Sequence, residues 1–131
     1  MKRLTIALLL IIVASAFSVE KTLKGTWEYL GGIYNGKKEV APTDYTLQRK
    51  YTDTTFEAFG TDSANKPEKF EAGNYTLKSD TCIETETYSS QPSKLMGIPM
   101  HYLYEVRNDS LILKGKLPSG MVVEEYWKKV K

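Results

Sequence analysis

Tyr45-Thr46-Leu47-Gln48-Arg49-Lys50-Tyr51-Thr52 alternates along its whole length. Tyr45, Leu47, Arg49 and Tyr51 fall on one face of an extended chain, and Thr46, Gln48, Lys50 and Thr52 fall on the other. That period of two marks a half-buried strand, and it recurs up and down the sequence. The readings are strands at 26–34, 44–52, 55–60, 73–78, 81–89, 100–107, 110–117 and 122–130, eight in all. Beyond the first residues no run of three-and-four spacing is long enough for a core helix, so the chain reads as all-β.

Turn chemistry separates these runs. Asn35-Gly36, Thr52-Asp53, Ser79-Asp80, Asn108-Asp109 and Pro118-Ser119-Gly120 supply residues that tolerate tight or positive-φ turns. Two connections are longer: 61–72, with Asn65-Lys66-Pro67, and 90–99, with two prolines, Gly97 and an expected helical turn at 93–96. Eight consecutive strands with short links can close on themselves and so remove exposed sheet edges. An eight-stranded antiparallel up-and-down β-barrel is the expected architecture, with a two-sheet β-sandwich as the alternative.

The 131 residues fit one such domain behind a leader. Lys2 and Arg3, an apolar run over 4–13 and the small triplet Ala14-Ser15-Ala16 read as a signal peptide over 1–18, with cleavage after Ala16. The apolar run is short for a membrane span, so no membrane insertion is expected once the leader is cut. The domain at 19–131 is then secreted or periplasmic. Losing Lys2 and Arg3 takes the count from 18 basic and 16 acidic residues to 16 of each. A balanced surface gives no electrostatic case for nucleic acid. Cys82 is the single cysteine, which excludes an intrachain disulfide.

The stretch Leu23-Lys24-Gly25-Thr26-Trp27-Glu28-Tyr29 resembles the Gly-x-Trp opening of the lipocalin and fatty-acid-binding (calycin) superfamily. Phe70-Glu71-Ala72-Gly73-Asn74-Tyr75-Thr76-Leu77, Leu117-Pro118-Ser119-Gly120 and Glu125-Tyr126-Trp127-Lys128-Lys129 are similar to a Bacteroidetes-type family of small secreted lipocalin-like proteins. The resemblance implies a barrel with Trp27 plugging one end and a basic residue of the last strand, Lys128 or Lys129, set against it. The chain departs from secreted animal lipocalins in lacking paired cysteines and an evident C-terminal helix. It therefore carries over no particular ligand.

Chemistry-bearing residues are few. A guanidinium on an apolar wall needs a partner, because an unpaired buried charge costs several kcal/mol in general. Arg49, with Tyr51 beside it, reads either as the receptor for a ligand's anionic head or as half of an internal ion pair with Glu125. Val123, Glu125 and Trp127 share a face of the last strand, and Tyr75, Tyr102 and Tyr104 lie on faces shared with Leu77 and Val106. Such aromatics line a ligand pocket or simply fill a small barrel. Glu84 and Glu86 share a face with Cys82 and Tyr88, and read as a solvated strand face, while His101 points outward. No nucleophile–base set, metal-ligand spacing or cofactor motif is present, so neither an enzyme nor a cofactor is expected.

The first functional reading is a secreted binding protein for a small, largely apolar or amphipathic molecule, anionic if Arg49 receives it. Its ligand-binding residues would be Arg49, Tyr51, Tyr75, Tyr102, Tyr104, Glu125 and Trp127. The alternative is a packed barrel that acts as a protein-interaction or inhibitor module. Its partner would sit on the 90–99 loop, through Leu95 and Met96.

Overall fold

The computed structural model describes residues 22–131, so the expected leader lies outside the described residues. Nine strands follow in order: β1 (Gly25–Tyr34), β2 (Lys37–Val40), β3 (Tyr45–Tyr51), β4 (Thr55–Asp62), β5 (Glu68–Lys78), β6 (Thr81–Ser89), β7 (Pro99–Arg107), β8 (Ser110–Lys116) and β9 (Val122–Lys129). Every neighbouring pair is antiparallel, and β1 pairs β9 from Trp27↔Lys129 to Tyr34↔Val123. That last ladder closes the sheet. The expected up-and-down barrel is therefore the fold, and the sandwich is not.

The extra strand does not add a stave. Asn35 and Gly36 take positive φ, 50° and 80°, as a two-residue hairpin turn requires. The chain then returns along β1 as β2, opposite Gly31–Tyr34, and again as β3, opposite Gly25–Glu28. Between them lie Ala41-Pro42-Thr43-Asp44, where proline offers no N–H to the ladder. β2 and β3 are thus one interrupted stave, and the barrel has eight. Lys37-Lys38-Glu39-Val40 is exposed on both faces, so it carries no alternation by which to be found.

Two expectations about the connections are corrected. β4 and β5 extend to Asp62 and back from Glu68, so the link expected over 61–72 shrinks to 63–67 and Glu71 joins a strand. The 90–99 segment holds no helical turn. Met96 instead bridges to Glu86, and the Gly97 N–H donates to the Glu86 carbonyl at 2.8 Å.

The end of the barrel carrying the 52–54, 79–80 and 108–109 turns is sealed by packing. Trp27 is fully buried, its indole N–H donates to the Leu23 carbonyl at 2.9 Å, and Lys129 Nζ stands 5.7 Å from its ring centre. Lys129 thus occupies the place that the calycin resemblance implies. Tyr75 joins this plug: its hydroxyl donates to the Thr52 carbonyl and accepts from the Leu23 N–H at 3.2 Å. Tyr51, Phe56, Cys82 and Leu111 fill the layer above.

Gly73 sits where the β5–β6 register slips, and the Phe56 ring lies against its backbone. A Cβ there would overlap the Thr85 carbonyl oxygen and that ring. Gly73→Ala should therefore destabilise by about 2–3 kcal/mol in urea unfolding. Gly60→Ala, which meets open space at an ordinary φ, should be neutral or stabilise by about 0.5 kcal/mol.

Candidate functional site

β6 brings Cys82, Glu84 and Glu86 to the interior, all three buried. The solvated-face reading of the two glutamates is corrected, because Cys82 at zero exposure packs in the core and the period of two carries Glu84 and Glu86 in with it. Burial first, then Glu84, pushes the Cys82 thiol up, against Arg49, so this cysteine is a packed and unreactive one.

Glu84 is the partner that Arg49 requires. Arg49 Nη1 donates to both Glu84 oxygens, at 2.8 and 3.1 Å, and to the Tyr51 hydroxyl at 2.9 Å, while Tyr51 donates onward to Glu84 at 3.2 Å. Arg49 Nη2 reaches Glu71 at 3.3 Å. The guanidinium carbon lies 4.6 Å from the Phe56 ring centre and 5.8 Å from that of Trp127. Burial opposes the Arg49 charge, but Glu84 leads the neighbouring charges that outweigh it, and the group stays protonated well past its ordinary range. The expected pairing with Glu125 is corrected. Glu125 instead accepts from the Tyr34 hydroxyl at 3.0 Å, which leaves Tyr29 to donate to Tyr34 at 2.6 Å.

Three carboxylates therefore act on one guanidinium, Glu84, Glu71 and Glu125, and a fourth, Glu86, acts on Glu71. Two buried polar atoms among these inward side chains have no hydrogen-bond partner, Glu86 Oε1 and Trp127 Nε1. The sealed end and this half also differ in access. Glu71 (28% side-chain exposure), Tyr29, Tyr34, Tyr102 and Glu125 face inward yet are only partly buried.

The sequence-derived site residues divide by height in the barrel. Arg49, Tyr51, Tyr102, Glu125 and Trp127 come together around the carboxylates, with Glu84 and Arg49 both acting electrostatically on Tyr102. Tyr75 belongs to the plug, and Tyr104 sits at the sealed rim with its hydroxyl donating to the Ser79 carbonyl at 3.1 Å. Glu71, Glu84, Glu86 and the Tyr29–Tyr34 pair were not among the expected residues. Cys82, a residue type usually buried, was the signal in β6. The alternation that crosses 68–72 was the signal for Glu71.

Elsewhere, a cleft of about 390 Å³ at the sealed end is bounded by Glu28, Asp109 and the residues from Lys128 to Lys131. It lies outside the barrel, and Lys131 already pairs with Asp109 across it at 3.4 Å. Among the described residues no group of three or more His, Cys, Asp and Glu side chains is placed to hold a metal ion, and no helix is long and apolar enough to cross a membrane.

Removing one member of the buried pair strands the other. Arg49→Met should cost about 3–5 kcal/mol in chemical denaturation, and adding Glu84→Met should recover most of that loss.

Stability should also depend on pH. Burial raises the pKa of Glu71 and of Glu125 and Arg49 only partly offsets it, with the neighbouring carboxylates adding to the rise at Glu71 and the Tyr34 hydrogen bond opposing it at Glu125. A carboxyl whose folded pKa exceeds its unfolded one takes up its proton more readily when folded. Stability then rises as pH falls from neutral through the folded value, and levels off below the ordinary value near 4.5. The ligand-free protein should melt higher at about pH 5.5 than at about pH 7.5, and the double change Glu71→Gln, Glu125→Gln should flatten that difference.

No protein-family model matches the chain, and no curated protein matches it. Among solved structures, the chain is similar to a crystal structure of a mutant of the fluorescent protein UnaG, at 11% identity and a TM-score of 0.43, over 83% of this chain and 96% of that one.

Proposed function

We propose that the barrel is a non-catalytic, exported binding protein that takes a small organic molecule into the carboxylate-lined half of its interior. The observation that carries this reading is the pair of partnerless buried atoms, Glu86 Oε1 and Trp127 Nε1. In a core that serves packing alone more than about 90% of such groups are satisfied, and each one left bare costs about 1–3 kcal/mol. A ligand offering a donor to one and an acceptor to the other removes that penalty on binding. The partly exposed inward side chains of Tyr34, Glu71 and Glu125 would give it a way in, and Tyr29, Tyr102 and Trp127 would give it aromatic walls. The leader at 1–18 supports export to the periplasm or beyond. The unreactive Cys82 and the outward, exposed His101 support a non-catalytic role.

One observation favours the rival reading of a protein-interaction module: Met96 and Ile98 stand exposed on the 90–98 loop, at 44% and 40%. A thermal-shift screen of the mature protein against a chemically diverse small-molecule library, followed by calorimetry on the hits, separates the two. The binding reading expects saturable one-to-one binding that weakens about tenfold, or about 1.4 kcal/mol, in Trp127→Phe, which keeps the ring stacking and loses the N–H. A barrel that takes up nothing from the library, but whose capture of a protein partner is lost in Met96→Asp, establishes the rival in its place.

A further inference from the structure

Arg49 is unavailable to a ligand anion. Its Nη1 is committed to Glu84 and Tyr51, and its Nη2 to Glu71. Once Glu84 has neutralised it, Glu71, Glu86 and Glu125 remain as acceptor groups in the same half of the barrel. Glu86 is more than nine-tenths buried with one oxygen bare, and a hydrogen-bond donor on a ligand would satisfy that oxygen. The tilted pair of Tyr29 and Trp127, with ring centres 5.2 Å apart, sets aromatic surface near Glu125, as binding of an organic cation favours. No cluster among the described residues has metal-holding geometry, which directs the choice to an organic donor.

Taking the small-molecule reading above as its basis, we infer that the ligand is an amphipathic organic cation, a protonated amine or amidine on an aromatic or aliphatic body. Its head would occupy the space between Glu86 and Glu125, and its body would lie against Trp127 and Tyr29.

The experiment is calorimetric titration of the full mature protein at neutral pH with three probes that share one body and differ in head: phenylbutylamine, phenylbutanol and phenylbutyrate. The amine should bind at least about tenfold more tightly than the alcohol, with the butyrate weakest. Glu86→Gln and Glu125→Gln, each close in shape to the native residue, should erase that preference. The probe series needs only the native protein, so a variant that fails to fold leaves the test intact. Equal binding of the three, tighter binding of the butyrate, or uptake of Ca²⁺ alone overturns the cation assignment while the binding reading stands. If none of the three binds, the charge of the hits from the diverse library decides: neutral or anionic hits overturn the assignment and cationic hits sustain it. A library with no hit removes the binding reading and this assignment together.

Discussion

A guanidinium inside a closed barrel is tolerable only if the strands around it supply both its countercharge and its hydrogen bonds, because the unpaired ion loses its hydration without compensation. Arg49 draws on several strands at once. β3 carries Arg49 and Tyr51, β5 contributes Glu71, β6 contributes Glu84, and β4 and β9 lay Phe56 and Trp127 near its plane. A slip of one residue in any of these strands would turn a member of the set outward and leave the remainder unpaired. The cluster thus couples the registers of strands that share few local signals. It also explains how a barrel interior can carry so much polarity and still specify one arrangement.

That constraint accounts for one carboxylate well, for a second in part, and for the others not at all. Glu84 neutralises Arg49, and Glu71 adds a longer contact from a half-buried position. Glu125 satisfies itself through Tyr34, and Glu86 keeps one oxygen bare. A buried ion pair is already a weak source of stability, and surplus buried carboxylates work against it. The surplus lies away from the end that is closed by Trp27, Leu23 and Tyr75 with their polar atoms bonded. One end of the interior is thus packed with its polar atoms satisfied, and the other is acidic and aromatic.

Much of this division was legible in particular residues. The alternation through Tyr45 to Thr52 put Arg49 and Tyr51 inside together, and Val123, Glu125 and Trp127 formed an inward face as expected. The Gly25-Thr26-Trp27 opening located the plug. What escaped was the polarity of the inner wall. Paired glutamates on a strand ordinarily face water, so Glu84 and Glu86 read as surface residues although Cys82 shares their face. Tyr75 and Tyr104 were on inward faces, but the height of a residue in the barrel is not contained in its face. Both lie at the sealed end, away from the carboxylates.

By itself the sequence determined most of the strands, the inward faces of β3 and β9 and the tight turns, because side-chain alternation and positive-φ turn residues act within a few positions of the chain. Those local rules carry through to an eight-stave closed barrel, since staves joined by short turns have few other ways to cover their edges. Only the tertiary structure decided that Arg49 meets Glu84 in place of Glu125, and that Glu86 is left bare. Which side chains meet across a barrel depends on the stagger accumulated around the sheet. That stagger includes the register shifts at Tyr29/Gly31, Ala58/Phe59 and Ala72/Gly73. Each shift moves one strand against its neighbour by a residue, and no window of sequence around Arg49 contains that sum.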